Sequence, residues 1–349
     1  MKKILTLTLF LSLAFMQGKI GGYAIFDYNG TTQQFDIDRT YFQYTNDISD
    51  NLFFKVRFDV GRDANELEHS AFPGYCDDDM WDTPSGCIDE GNSWIEDEIS
   101  FNPDTKLKVY LKNAYVDWEC PKGGKLTMGL LGTNSYGIQE TNWGYRFISK
   151  SVLDQYGMTK TADFGIGYSH SFGDFNMNIQ AVNGEGFKAD FDSGNTNDDK
   201  PTAYIRLMYG EKNLIKNDGF NIGLVYTSAY NSTDDDHTNN LNGIFGGFAS
   251  HNFRLGIEIN NQVINETNES ANAIYLNYAI NEKIDVFIRH DVNDEDADDS
   301  DWSPPSQSLF GFIFNPTKGL YLAPNVTSFD AGDGSKSVKE YRFTCMFKY

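Results

Sequence analysis

Hydrophobic and polar residues alternate one by one along most of this chain. In the stretches 54–60, 175–181, 203–209 and 253–260, apolar side chains occupy every second position and mostly polar or charged ones lie between. Successive side chains of a β-strand point to opposite faces, so this alternation predicts strands with one apolar and one polar face. Further strands are predicted at 19–28, 34–46, 106–119, 125–136, 162–172, 219–229, 241–249, 271–281, 283–292, 307–315, 320–328 and 338–349. The total is about sixteen, which indicates an all-β protein.

The stretch 338–349 has the most complete pattern. Its apolar face consists of Tyr341, Phe343, Cys345, Phe347 and Tyr349, and its other face is mostly charged. A strand of this kind that ends on an aromatic residue is similar to the terminal strand of bacterial outer-membrane barrels. It predicts that the remaining strands close against it into an antiparallel transmembrane β-barrel.

The connections between the predicted strands sort by length. Short turns occur at 121–124, 173–174, 250–252 and 281–283. Long polar connections fall at alternate positions, at about 64–105, 137–161, 183–199, 230–240, 293–306 and 329–337. Outer-membrane barrels have short turns at one end and long loops at the other, so the segregation favours a barrel with an even number of strands.

Composition agrees with a barrel and excludes a helical membrane protein. Hydrophobic residues make up 40% and the mean hydropathy is −0.48, yet the chain has 27 Phe and 20 Tyr. A membrane-spanning helix needs about twenty apolar residues, and only the N-terminus has an apolar run, Ile4–Phe15, which is shorter. Because this run follows Lys2 and Lys3, it predicts a secretory signal at 1–17, and 18–349 is predicted to form a single barrel.

Several segments carry a resemblance to a known family. They are 35–39 with 51–59, 111–117, 127–130, and 145–151 leading into 163–167. With these segments the chain resembles trimeric bacterial porins of the phosphate-selective O and P type. The resemblance implies an outer-membrane porin for passive diffusion of small hydrophilic solutes, with anions such as phosphate favoured. It also implies a homotrimer in contact with membrane lipid and lipopolysaccharide, and a third external loop, Gly137 to Thr161, that folds into the lumen and narrows the pore.

Basic residues are the candidates for ion selectivity. Arg146, Lys150 and Lys160 lie in the third external loop, among aromatic residues that include Trp143. A cation in a narrow passage attracts anions, although the same residues could instead fix the loop to the barrel wall. Basic residues predicted on lumen faces are Lys55, Arg57, Lys108, Lys112, Arg206, Arg254, Arg289 and Arg342. Acidic residues predicted on the same faces, which oppose an anion preference, are Asp36, Asp38, Asp59, Glu258, Asp285 and Glu340.

The formal net charge of −22 is concentrated in the long loops. Asp77–Asp79, Asp234–Asp236 and the stretch 291–301 are interpreted as solvated surface, with bridging of divalent cations to lipopolysaccharide as the alternative. Cys76 and Cys87 share one external loop, and an exported location permits a disulfide between them. No pattern predicts a protein-bound metal, a cofactor or a nucleic-acid partner.

Two other functions stay open at this stage. The chain has no GxSxG, HExxH or Walker pattern, so an enzyme is not expected, although some outer-membrane barrels are hydrolases. The other alternative is a secreted β-protein or adhesin that binds carbohydrate. Such a protein would bury its apolar strand faces in a core, whereas a barrel exposes them to lipid.

Overall fold

The computed structural model describes residues 18–61, 75–76, 94–95, 107–188, 201–230, 238–264, 267–295, 297 and 303–349. The predicted signal at 1–17, Cys87 and most of the acidic loop residues lie outside this range, so the disulfide between Cys76 and Cys87 stays a prediction. The chain divides into two compact units, residues 1–59 with 110–349, and residues 60–109.

The secondary structure consists of eighteen strands and two short helices within the described residues. The strands are β1 (Lys19–Asn29), β2 (Gln34–Ser49), β3 (Leu52–Gly61), β4 (Tyr75–Cys76), β5 (Trp94–Ile95), β6 (Lys108–Glu119), β7 (Lys125–Gly132), β8 (Ala162–Phe172), β9 (Phe175–Val182), β10 (Thr202–Gly210), β11 (Gly219–Tyr230), β12 (Thr238–Ser250), β13 (Phe253–Ile264), β14 (Thr267–Asn281), β15 (Ile284–Asp294), β16 (Ser306–Thr317), β17 (Leu320–Asp330) and β18 (Val338–Lys348). The helices are α1 (Gly137–Trp143) and α2 (Val152–Gln155). With seven and four residues, neither described helix is long enough to cross a bilayer.

Sixteen of the strands form one closed antiparallel barrel, as the alternation predicts. From β18 the order descends without interruption to β6, then continues through β3, β2 and β1 back to β18. The closing pair runs from Tyr23 opposite Lys348 to Asn29 opposite Arg342. The Tyr349 hydroxyl adds a bond near this seam, since its Oη donates to the carbonyl of Tyr41 at 3.2 Å. Separately, β4 and β5 form a two-residue antiparallel pair.

Apolar side chains point outward from the barrel and polar ones point inward. On β13, Ile257 and Ile259 are 45% and 48% exposed. Glu258 and Asn260, at the intervening and following positions, are 0% and 1% exposed. On β18, Phe343 and Phe347 are exposed while Thr344 is buried. A soluble β-sandwich packs its apolar faces together, so this inverted pattern fits a barrel in lipid and not the secreted alternative.

Two irregularities change which residues face the lumen. In the β1–β2 pair, Ile25 lies opposite Arg39 and Phe26 opposite Ile37, so Asp38 is an extra residue in β2. In β6, the consecutive residues Lys112 and Asn113 are both buried, which strict alternation does not allow. An inserted residue shifts all following side chains to the other face. The alternation of inward and outward side chains along β6 therefore changes parity at Lys112 and Asn113.

Candidate functional site

The segment 133–161, which joins β7 to β8, lies against inward-facing side chains of distant strands, and we call it the lumen segment. Trp143, at the end of α1, is fully buried and packs edge-on against Tyr275 and Phe287, with ring centroids 5.3 and 5.7 Å away. These two rings belong to β14 and β15. The helices themselves are not predicted from the sequence, whose alternation instead extends the preceding strand to residue 136.

Local geometry fixes the course of the lumen segment. Gly144 ends α1 with a φ of 80°, a left-handed conformation that glycine adopts without a Cβ clash. Its amide donates to the carbonyl of Glu140 at 2.8 Å. Ser151 begins α2, and its hydroxyl accepts a bond from the amide of Asp154. These two caps mark the places where the lumen segment turns.

Arginines of β10, β13 and β15 hold the lumen segment through its backbone, and we call this side of the barrel the anchoring wall. Arg254 donates from Nη2 to the carbonyl of Trp143 at 3.0 Å, and Arg289 donates from Nη1 to the carbonyl of Lys150 at 2.6 Å. Arg206 donates from Nη1 to the carbonyl of Asn134 at 3.3 Å. Each of these lumen cations thus bonds a neutral carbonyl of the segment.

Side chains strengthen this attachment. The amides of Asn142 and Asn221 bond each other reciprocally at 2.8 and 2.9 Å. The Tyr145 hydroxyl donates to Asp285 Oδ2 at 3.0 Å, and the Tyr275 hydroxyl donates to the carbonyl of Gln139 at 3.2 Å. Arg289 is also paired with the buried carboxylate of Asp291, with Nε to Oδ1 at 2.7 Å. The anchoring wall therefore uses both its cations and its acids to hold the segment.

A different arrangement occupies β2, β3 and β6, and we call it the cationic wall. At its centre is Tyr41, whose hydroxyl accepts bonds from Arg39 Nη1 and Lys112 Nζ, both at 3.2 Å. The guanidinium of Arg57 lies 5.3 Å from the Tyr41 ring centroid, a cation–π distance. Arg57 also donates from Nε and Nη2 to Gln43 Oε1 at 3.0 and 2.6 Å.

Charge is not balanced on the cationic wall. Asp59 Oδ2 lies 3.6 Å from both Arg39 Nη1 and Lys112 Nζ, and it is the one carboxylate paired with them among the described residues. Three cations, Arg39, Arg57 and Lys112, set against this single carboxylate leave a net charge of 3 − 1 = +2. The remaining partners here are the phenol of Tyr41 and the side-chain amide of Gln43, so they add no further carboxylate to the cluster.

Arg146 of the lumen segment lies near this wall and is paired within its own segment. Its Nε is 3.0 Å from Glu140 Oε1, and its Nη2 is 3.3 Å from Asp154 Oδ2. Burial raises the pKa of Glu140 above its ordinary value, and the Arg146 charge opposes that rise. Burial acts to lower the pKa of Arg146, but Glu140 and other neighbours outweigh it, so the Arg146 pKa is raised and the cation persists.

The structure brings five of the seven candidate selectivity residues toward one region. Arg57 and Lys112 belong to the cationic wall, Arg146 interacts electrostatically with Tyr41, and Lys150 Nζ lies 4.0 Å from Asp154 Oδ1. Lys55 is nearby on β3, with Nζ 5.7 Å from the centroid of Tyr115.

The two remaining candidates are Lys160 and Lys108. Lys160 is exposed and lines a separate cavity, and Lys108 is an exposed residue of the 60–109 unit. Arg342, another predicted lumen cation, is exposed and paired with Glu340 at 3.0 Å.

Sequence reasoning missed Arg39 and Tyr41, although both are central to the cationic wall. Strict alternation through Asp36 and Asp38 assigns odd-numbered residues of β2 to the lipid face. The extra residue at Asp38 reverses that assignment for the following stretch, so Arg39, Tyr41 and Gln43 share the lumen face. The spacing of two between Arg39, Tyr41 and Gln43 indicates that these side chains share one face of β2. The sequence does not indicate the bulge that turns this face toward the lumen.

Comparison with known proteins supports the fold. No protein-family model matches the chain, and no curated protein matches it in sequence. Among solved structures, OmpF of Salmonella typhi in complex with daunomycin aligns with a TM-score of 0.61 and 11% identity, covering 95% of this chain and 97% of OmpF. An anion-selective porin of Comamonas acidovorans aligns at 0.59 and 11%, covering 95% and 99%. The outer-membrane protein OmpT of Vibrio cholerae aligns at 0.58 and 11%, covering 95% and 97%.

The fold is therefore that of the sixteen-stranded barrels of the bacterial outer membrane. The closed antiparallel barrel, the apolar outer face and the full-length alignment with porin structures all define this class. Within the described residues, this barrel holds an internal segment fixed to one wall and a cluster of cations on the other.

Proposed function

We propose that the protein is an outer-membrane porin that lets small hydrophilic solutes and ions diffuse passively, with a preference for anions. The observation that carries this proposal is the cationic wall, where Arg39, Arg57 and Lys112 surround Tyr41 and, among the described residues, Asp59 is the one carboxylate paired with Arg39 and Lys112. Clustered charge of one sign in a polar passage raises the local concentration of the opposite ion. Phosphate belongs to the proposal as one such anion, for which arginine and lysine supply charged donors.

We also propose that the protein forms a homotrimer in contact with membrane lipid and lipopolysaccharide. The exposed apolar outer face is expected to contact lipid, and the long loops to contact lipopolysaccharide. A homotrimer is proposed from the similarity to porins. One of the solved structures to which this chain is similar is described as the trimer form of OmpT. Catalysis is not part of the proposed function, since solute passage needs only a polar lumen.

The test is the reversal potential of the protein in planar bilayers under a KCl gradient. We expect an anion preference that falls in an Arg57→Gln, Lys112→Met double variant. Removing one charge worth about 1 kcal/mol at 4 Å in water changes an ion's local population about fivefold, so the permeability ratio is expected to fall by at least that factor. Arg342→Gln is the matched control, because Arg342 is exposed and already paired with Glu340.

Two results would contradict the proposal. A cation preference of the native protein that the double variant leaves unchanged would exclude the cationic wall as the selectivity element. An absence of conductance by correctly folded protein, verified by heat-modifiable migration in detergent gels, would exclude the channel function itself.

A further inference from the structure

A second lumen site lies at the barrel end opposite the short turns. It is a cavity of about 330 Å³ between residues 156–160 of the lumen segment and the ends of several strands. Its lining includes Lys160, Thr202, Thr227, Asn239, Gln262 and Glu269. This volume falls at the lower end of the range found for small-molecule sites.

The cavity contains one ammonium and one carboxylate on opposing elements. Lys160 is on the lumen segment, and Glu269 is on β14. Among the described residues, neither side chain has an ion-pair partner within 4.0 Å. This differs from Arg146, Arg289 and Lys112, each of which is paired with a carboxylate.

Buried oxygen atoms without a hydrogen-bond partner also border the cavity. They are Thr227 Oγ1, Asn239 Oδ1 and Gln262 Oε1, each on a different strand from β11 to β13. Buried polar groups are normally bonded, so three such oxygens around one cavity indicate an environment suited to a hydrogen-bond donor. The Tyr156 side chain adds an aromatic surface beside them.

We propose that this cavity is a binding site for a zwitterionic solute of the size of a free α-amino acid. The carboxylate of such a solute would pair with Lys160, and its ammonium would donate to Glu269 and to the amide oxygens of Asn239 and Gln262. A neutral sugar would leave both protein charges without a partner, and a simple anion would leave Glu269 and the oxygens unpaired. The site lies apart from the cationic wall and concerns a class of solute that ion selectivity does not address.

The test is saturation-transfer NMR on the full chain in detergent, with L-glutamine as the probe. We expect saturable binding that Lys160→Met and Glu269→Gln each weaken about fivefold or more, the effect of losing one charge contact near 4 Å in water. Lactate, which has the carboxylate alone, is expected to bind more weakly and to respond only to Lys160→Met. Glucose is expected not to compete. The matched controls are Lys318→Met and Glu282→Gln, which remove exposed charges at the short-turn end.

A charge-swapped variant, Lys160→Glu with Glu269→Lys, provides a second measurement of the role of both charges if a single variant folds poorly. It preserves both charges and is expected to bind L-glutamine better than either single variant. The proposal would be overturned by a lack of saturable L-glutamine binding, by binding that neither single variant changes, or by equal competition from glucose. Since binding is measured without conductance, this outcome is separate from that of the reversal-potential experiment.

Discussion

The two sides of the lumen use the same kinds of residue in different ways. On the anchoring wall, Arg254 and Arg289 donate to backbone carbonyls of the lumen segment. On the cationic wall, Arg39 and Lys112 donate to the hydroxyl of Tyr41, and Arg57 donates to the amide of Gln43. The first set attaches one part of the chain to another, and the second set leaves its charge concentrated on one side of the passage.

For the porin that we propose, the difference means that a count of lumen cations does not predict ion selectivity. Arg289 is 1% exposed, with its charge offset by Asp291 beside it, so it contributes little to the electric field in the lumen. Arg57 has no carboxylate partner among the described residues and lies over an aromatic ring. What distinguishes the two is the acceptor, which is a carboxylate for Arg289 and a neutral amide oxygen for Arg57.

Loss of the Arg289 side chain is expected to have the largest effect. In Arg289→Met the buried carboxylate of Asp291 loses its ion-pair partner, and the carbonyl of Lys150 loses its donor. Breaking a buried pair in this way costs about 3–5 kcal/mol of unfolding free energy. Thermal unfolding, followed by heat-modifiable migration, is the measurement. The Arg289→Met, Asp291→Asn double variant should regain part of the loss, and equal stability of native and single variant would show that the anchor is dispensable.

Removal of the Asp59 carboxylate is expected to increase the difference in net charge between the cationic wall and the anchoring wall. In the part of the chain that the structure describes, Asp59→Asn takes away the one carboxylate paired with Arg39 and Lys112, so the net charge of the cluster rises from +2 to +3. The anion to cation permeability ratio should rise about fivefold, by the same estimate of about 1 kcal/mol at 4 Å. Reversal potentials measure this ratio, with Asp285→Asn on the anchoring wall as the comparison. A fall in the ratio, or an equal rise in both variants, would refute the distinction between the walls.

Acidification is expected to have the smallest effect, acting through Glu140. Because burial raises the pKa of this carboxyl above its ordinary value of 4.5, Glu140 gains a proton as the pH falls while still above 4.5. Arg146 keeps its charge, so the lumen segment becomes more positive and anion preference should increase toward lower pH. Reversal potentials recorded across this range give the measurement. The Glu140→Gln variant should lack the change, and a variant with an unaltered pH response would assign the titration to another group.

The sequence was sufficient to predict the barrel because alternation is a local property. All sixteen strands were predicted close to their observed positions, since each needs only a few side chains of correct parity. Lys112 and Arg57 were also predicted on the lumen side. The importance of Arg39 was missed because the bulge at Asp38 depends on how β2 pairs with β1, which no local pattern specifies.

The lumen segment was harder to predict than the strands. Its helices have seven and four residues, too short for a helical period to stand out, and their stability comes from contacts with distant strands. The separation of Arg146 from Lys160, residues of the same predicted loop, likewise depends on where the segment turns. Gly144 and Ser151 mark those turns, but the sequence alone does not say toward which wall each part runs.

The bond from Tyr349 to the carbonyl of Tyr41 has a consequence for the order in which the molecule forms. It joins residues 308 positions apart, next to the seam where β1 meets β18. Contacts of such long sequence separation carry a large loop-closure cost and form late. Tyr41 is also the centre of the cationic wall, so this cluster and the closed barrel are expected to form together. In the porin that we propose, an insertion intermediate with an open seam would therefore leak without ion selectivity, and a selective pore would be complete only in the final step of assembly.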